Sequence, residues 1–177
     1  MALQFSDSAE IHFKDLLGRY PNNLAALLPV LHMAQTEFGW ISVEVMQFLA
    51  EKMEINSAQI LSTATFYSMY DKQPRGKCNI EVCTTLSCAI RGGYALIEKL
   101  EKELGIKMGE TSSDGNFSLK EVECLASCGT APMAQVCSSD GEITYYENLD
   151  GEGALTLMLR QLNEKLESLP DPRTLQD

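Results

Sequence analysis

Four cysteines in two closely spaced pairs are the residues of this chain best suited to chemistry. Cys83 and Cys88 have four residues between them, and Cys124 and Cys128 have three. Both spacings let two thiolates from one loop approach a common centre. Because four converging thiolates are the ligands of soft metal centres, the pairs predict either an iron–sulfur cluster or a structural zinc ion.

Spacing alone leaves more than one interpretation open. Zinc sites often contain a Cys-x-x-Cys turn, and neither pair has this form, although the spacing does not exclude zinc. A thioredoxin-type redox dithiol also requires Cys-x-x-Cys, and this motif is absent from the sequence. A 2Fe–2S cluster is larger than one ion and takes two thiolates per iron, so two separate pairs fit it. The spacings favour the cluster, with zinc and an accidental grouping as alternatives.

The composition restricts the partners and the location of the chain. The net charge is −11, whereas nucleic acids and anionic lipid surfaces bind clustered Lys and Arg, so we expect neither as a partner. No apolar window approaches the roughly 18 residues of a membrane span, and the first residues lack secretory-signal or transit-peptide character. We therefore expect a cytoplasmic chain without direct membrane insertion. Thiols stay reduced there, which favours metal binding over disulfides.

The elements that must position the cysteines begin with a helical segment. Residues 1–72 are predicted to form a bundle of four short helices, since apolar residues recur there with a helical period. Pro29 either kinks the second helix or lies in the first turn of a helix that starts again. Ser42 is suited to cap the third helix. The polar stretch 71–77 is predicted to separate this bundle from a second domain.

The second predicted domain, residues 73–169, has the pattern of a small α/β fold with the order β-α-β-β-β-α and a mixed sheet. The cysteine pairs follow the predicted strands at 80–82 and 117–122. The carboxyl ends of neighbouring strands are where α/β sheets bind ligands, so we expect the four thiolates to meet at one edge. Residues 170–177, which contain two prolines, are predicted to form a disordered tail.

Two cysteines lie outside the pairs. Cys78 and Cys137 occur in apolar, strand-like runs, and we interpret both as core residues because free cysteine is often buried.

Longer motifs resemble a known family. Cys-Thr-x-x-x-Cys at 83–88 and Val-Glu-Cys-Leu-Ala-Ser-Cys-Gly-Thr-Ala-Pro at 122–132 are similar to the 24-kDa iron–sulfur subunit of respiratory complex I, the NADH:quinone oxidoreductase. The stretches 28–35, 38–41 and 64–67 also look like that family. The resemblance covers nearly the whole chain. The cysteine motif does not separate complex I from related NAD-linked hydrogenases and formate dehydrogenases.

The resemblance implies a thioredoxin-like ferredoxin domain behind the helical bundle, with one 2Fe–2S cluster held by Cys83, Cys88, Cys124 and Cys128. Thioredoxin-like folds often contain a cis-proline, and Pro132 is the candidate here, although most X–Pro bonds are trans. The resemblance also implies an electron-transfer subunit that exchanges single electrons with the FMN of a flavoprotein partner. The chain has no Gly-x-Gly-x-x-Gly nucleotide fingerprint, so we expect FMN and NADH on that partner only.

By the same resemblance, the chain acts in catalysis only as a subunit of an NADH dehydrogenase module, with other peripheral-arm subunits of complex I as further partners. It is expected to lie on the inner face of a bacterial plasma membrane, attached through the complex. One alternative function is the diaphorase subunit of an NAD-linked hydrogenase or formate dehydrogenase. Another, from a different class, is a zinc-stabilised interaction module.

Overall fold

The computed structural model describes residues 3–175, which divide into two compact units. The first unit runs to Pro74 and includes the segment that starts at Pro172, and the second unit is Arg75–Asp171. The domain limits 1–72, 73–169 and 170–177 stay predictions. Their outermost residues, 1–2 and 176–177, lie outside the described part of the chain.

The first unit consists of helices, whose bounds are α1 Asp7–Arg19, α2 Leu27–Phe38, α3 Val43–Met53 and α4 Ser57–Phe66. Pro29 is the third residue of α2, where its missing N–H removes no helical hydrogen bond, so the helix starts anew instead of kinking. The Ser42 hydroxyl accepts a hydrogen bond from the Val45 N–H at 3.1 Å and caps α3, as predicted. Apolar faces of all four helices enclose a common core, which includes Phe13, Leu31, Leu49 and Ile60.

The C-terminal segment of the first unit contains a short 3-10 turn at Pro172–Thr174, and Pro172 is buried. Its carbonyl group lies against Gly39, which follows α2 with a φ of +81°. A side chain at Gly39 would collide with that carbonyl group and would also have to adopt a left-handed backbone, which favours glycine.

The second unit is built on a four-stranded sheet, with β1 Cys78–Cys83, β2 Phe117–Val122, β3 Ala134–Ser138 and β4 Ile143–Tyr146 in the order β2-β1-β3-β4. β1 is parallel to β2 and antiparallel to β3, and β3 and β4 form an antiparallel hairpin. The prediction of a mixed α/β sheet is therefore confirmed. The Ala131–Pro132 peptide bond before β3 is cis.

The helices of the second unit are α5 Leu86–Ile90, α6 Gly93–Leu104 and α7 Ala154–Lys165. The predicted order β-α-β-β-β-α contained one helix after the first strand, whereas the structure has two. The helix that was not predicted, α5, has five residues and carries Cys88. A helix of little more than one turn shows no apolar period by which a sequence could reveal it.

β1 separates two environments, because side chains of a strand alternate between the faces of its sheet. Ile80 and Val82 lie in the apolar core together with side chains from α6 and α7. On the other face, the buried carboxylate of Glu81 accepts hydrogen bonds from Asn79 Nδ2 at 3.0 Å and Gln135 Nε2 at 2.7 Å. These two amide groups offset the loss of hydration that burial imposes on the charge.

Candidate iron–sulfur site

The two cysteine loops leave the sheet side by side. β1 ends at Cys83 and β2 ends at Val122, and these two residues are partners in the parallel register. Cys88 lies in α5, which follows β1, and Cys124 and Cys128 lie in the loop that follows β2. The structure therefore brings the residues of both pairs to one edge of the sheet.

The four thiol groups are arranged in pairs. The Sγ atoms of Cys124 and Cys128 are 3.7 Å apart, and Cys83 and Cys88 belong to one small buried cluster. The second loop also approaches the first pair, because Leu125 packs against the buried cluster that contains Cys83 and Cys88. The fold thus brings two close pairs of thiols, from residues far apart in sequence, to the same edge of the sheet.

This group has an inner and an outer half. Cys83 and Cys88 are each 2% exposed and pack with Ala131 and Met133, whereas Cys124 and Cys128 are exposed. Within residues 3–175, no three or more His, Cys, Asp or Glu side chains are close enough to hold one metal ion. The thiols stand instead as two close pairs. Two pairs fit a binuclear cluster, in which each iron takes two thiolates.

Hydrogen-bond donors surround the sulfur atoms. Burial raises the pKa of Cys83, but hydrogen bonds from the Thr85 hydroxyl, which lies 3.1 Å from the sulfur, and from the N–H groups of Leu125 and Thr85 outweigh it and lower the pKa overall. The Ala126 N–H donates to Cys124 Sγ at 3.4 Å and is the main reason for the lowered pKa of Cys124. These donors stabilise the thiolate, the form that binds metal.

Cys88 differs from these two cysteines, since burial and the neighbouring Cys83 thiol raise its pKa to about 11. In a bound cluster, iron would take the place of the proton on the Cys88 thiol.

The backbone of the second loop is adapted to this arrangement. Ala126 has a φ of +63°, which is uncommon for a residue with a side chain and is typical of functional turns. This conformation belongs to the turn in which the Ala126 N–H points at Cys124 Sγ. The sequence pattern shows no sign of it, because alanine has no preference for left-handed backbone.

The remaining cysteines lie outside the group. Cys78 is buried in the core of the second unit, as predicted. Cys137 is only partly buried, and its sulfur is 3.3 Å from Gln135 Nε2 on the polar face of the sheet. The interpretation of Cys137 as a core residue was therefore wrong. The core-facing positions of β3 are those of Ala134 and Val136, and Cys137 alternates with them.

Residues 13–162 match the family of the Thioredoxin-like [2Fe-2S] ferredoxins. The chain belongs to this family. The match covers the helices from the middle of α1 onward and the sheet with its cysteine loops, and it confirms the predicted thioredoxin-like fold class. The resemblance that the cysteine motifs indicated is also confirmed by relatives of this ferredoxin chain.

Relatives of this ferredoxin include a subunit of the NADH-quinone oxidoreductase of Rickettsia typhi, which is 36% identical over 152 residues that cover 84% of this chain and 86% of the relative. The corresponding NADH-quinone oxidoreductase subunit from Mycobacterium tuberculosis strain H37Rv is 38% identical over 127 residues, or 72% of this chain. The aligned region spans 50% of the length of this mycobacterial relative.

A solved structure of similar fold is that of an NAD+-reducing [NiFe]-hydrogenase in the air-oxidized state, with a TM-score of 0.62 and 21% identity. The similarity covers 80% of this ferredoxin chain and 23% of the hydrogenase chain, and it concerns the fold alone.

In the described part of this chain, every helix is too short or too polar to span a membrane.

Proposed function

We propose that this chain is an electron-transfer subunit that carries one 2Fe–2S cluster on Cys83, Cys88, Cys124 and Cys128. The observation that carries the proposal is the convergence of two thiol pairs at one sheet edge, in a chain of the [2Fe-2S] ferredoxin family. When bound, the cluster supplies one-electron chemistry. The buried pair would anchor it to the sheet, and the exposed pair would hold its outer side.

The protein part of the site sets the reduction potential. Four thiolates make the centre anionic, and an acidic chain with a net charge of −11 opposes a further electron. The N–H donors to Cys83 and Cys124 act in the opposite direction, because they stabilise negative charge on sulfur. We expect a low potential, about −400 mV or somewhat above, as in plant-type ferredoxins with the same all-thiolate ligation.

Within an assembly, the chain would exchange electrons with the FMN of a flavoprotein subunit that binds NADH. The names of the relatives, subunits of NADH-quinone oxidoreductase, support this partner and other peripheral-arm subunits. Leu86 and Ile90 on α5 are 76% and 75% exposed beside Cys88, which supports a protein contact close to the cluster.

The complex would attach the chain to the inner face of a bacterial plasma membrane. A diaphorase subunit of an NAD-linked hydrogenase is the second candidate, supported by the similar fold.

Metal analysis of the anaerobically purified chain tests the cofactor. We expect two irons and two sulfides per chain and a brown protein whose colour bleaches on reduction. One zinc ion in a colourless protein would instead support the zinc-stabilised interaction module and refute the electron carrier.

A second experiment tests the partner. Co-expression with a candidate NADH-binding flavoprotein subunit should give a complex in which NADH reduces the cluster, while the isolated chain should show no reaction with NADH. Neighbouring genes for quinone-reductase subunits would support the first candidate assembly, and neighbouring genes for hydrogenase subunits would support the second. Reduction of the isolated chain by NADH would contradict the assignment of the nucleotide site to the partner.

Replacing Gly93 with alanine is expected to disturb the inner cysteine pair. Gly93 begins α6, and an added Cβ would lie 3.0 Å from the carbonyl oxygens of both Cys83 and Cys88. The backbone would have to move by a few tenths of an ångström, and such overpacking costs about 1–3 kcal/mol. Denaturation of the iron-free chain measures the loss of stability, and visible circular dichroism of the loaded chain measures the change around the cluster.

The control for this variant is Gly18→Ala, which adds the same methyl group to α1, where no heavy atom lies within 4 Å. Gly18→Ala should keep or slightly raise stability and leave the visible spectrum unchanged. Equal stability and equal spectra for the two variants would show that the close contact at Gly93 is unimportant.

A further inference from the structure

The loop that contains Cys128 leads into β3, and it contacts a carboxylate that follows β4, the strand paired with β3. Glu147 follows β4, and its Oε1 atom accepts hydrogen bonds from the hydroxyl groups of Ser127 and Thr130, the latter at 2.6 Å. The two hydroxyl groups are also 2.9 Å from each other. One carboxylate oxygen therefore joins the residues on both sides of Cys128.

Glu147 stands on a firmly held segment. The N–H of Asn148 donates to the Thr130 carbonyl at 2.7 Å, and the N–H of Leu149 donates to the Pro132 carbonyl at 2.9 Å. Leu149 itself is buried in the core of the second unit. The backbone at this point is thus fixed relative to the cysteine loop before the Glu147 side chain makes any contact.

The cysteine loop is exposed to solvent around Cys128. Cys128 is exposed and begins a 3-10 turn of three residues, and a Cβ on the adjacent Gly129 would meet no heavy atom within 4 Å. Exposed segments with few packing contacts open easily. Hydrogen bonds to a charged carboxylate are about twice as strong as those between neutral groups, so they can hold such a turn. The Ser127 and Thr130 hydroxyls lower the pKa of Glu147, which keeps it ionised at neutral pH.

We propose that Glu147 is a positioning residue that holds the Cys128 thiolate in the orientation in which it binds the cluster. The inference rests on the proposed function, because it concerns the same 2Fe–2S site. Glu147 acts through the hydrogen bonds that it accepts from Ser127 and Thr130. Groups that orient the ligands of a metal centre commonly change its affinity about 10–100-fold when removed.

The test compares Glu147→Ala with Glu147→Gln in the iron-loaded full chain. Transfer of iron to a strong chelator under anaerobic conditions is followed at the visible absorption band. Glu147→Ala should lose its cluster about ten-fold faster than the parent and show an altered visible circular dichroism spectrum. Glu147→Gln should lose its cluster more slowly than Glu147→Ala, because its amide oxygen can still accept the two hydroxyl hydrogen bonds, although these are weaker than hydrogen bonds to a carboxylate.

A matched control is Asp114→Ala. The Asp114 carboxylate also accepts a serine hydroxyl, from Ser112 at 2.6 Å, but it precedes Phe117, the residue paired with Cys78 at the end of the sheet away from the cysteine loops. Its removal should leave the rate of cluster loss and the visible spectrum unchanged. The double variant Ser127→Ala with Thr130→Val should reproduce Glu147→Ala, and adding Glu147→Ala to it should have no further effect.

The outcomes separate this inference from the proposed function. A parent chain without iron would overturn the proposed function and, with it, the role of Glu147. If the parent binds the cluster and Glu147→Ala keeps it as long as the parent, the positioning role alone is wrong. Equal cluster loss from the Gln and Ala variants would also overturn it, because an accepting oxygen would then not be sufficient.

Discussion

Replacing Cys124 with serine should leave the chain almost without its cluster. Cys124 is exposed, so the substitution does not disturb the apolar core, yet it removes one of the two thiolates that the second loop would supply. A serine hydroxyl is a harder and more weakly binding ligand than thiolate at neutral pH. We expect iron and sulfide contents near zero after anaerobic purification, and loss of the visible absorption band.

The loss should extend to stability, because binding a metal centre to the folded chain adds its binding free energy to the free energy of unfolding. In the iron-free state, the Cys124→Ser variant and the parent should unfold alike. Under iron-loaded conditions only the parent should gain stability. Comparison of the two states therefore distinguishes loss of the ligand from damage to the fold.

Cys137→Ser provides the matched control for this experiment. Cys137 belongs to the same unit but lies outside both pairs, and a serine oxygen can accept the same hydrogen bond from Gln135. This variant should retain two irons and two sulfides per chain. Full iron content in Cys124→Ser, or loss of iron from Cys137→Ser, would contradict the assignment of the cluster to the two close pairs.

Much of the architecture around these cysteines could be predicted from the sequence, because it depends on local patterns. A helical period of apolar residues and the cap at Ser42 indicated the bundle. Strand-like runs before each cysteine pair placed the loops at strand ends. The neighbouring position of β1 and β2 then follows from the sheet, whose parallel register pairs Cys83 with Val122. Local patterns thus placed both pairs where they could meet.

Other parts of the site depend on contacts that no local pattern contains. α5 is too short to show a period, and the close approach of Gly93 to the Cys83 and Cys88 carbonyl groups exists only once α6 has packed. Glu147 looks like an ordinary solvated glutamate at the end of a strand. Its hydrogen bond from Ser127 forms because the β3–β4 hairpin brings the end of β4 beside the start of β3. The spacing of the cysteines gives no sign of this contact. The four cysteines proposed as ligands can therefore be identified from the sequence, whereas Glu147, proposed to orient one of them, cannot.

The second substitution with a large expected effect on stability lies in α7, which packs against the sheet. Leu162 is 2% exposed and belongs to the core between this helix and β1, together with Ile80 and Met158. Leu162→Ala should lower the free energy of unfolding of the second unit by about 2–5 kcal/mol, the usual range for a buried leucine truncated to alanine. Hydrogen exchange of the β1 amides in the iron-free chain measures this change within the unit concerned.

The same helix supplies the control, because Leu157 is 56% exposed. Leu157→Ala removes the same atoms from solvent-facing surface and should change stability by no more than about 0.5 kcal/mol. Since β1 ends at Cys83, weaker packing under this strand should also speed iron loss from Leu162→Ala, whereas Leu157→Ala should match the parent. Equal exchange in the two variants would mean that α7 does not support the sheet. If Leu162→Ala showed parent-like exchange at β1 but fast iron loss, α7 would influence the cysteine loops by a route other than packing under β1.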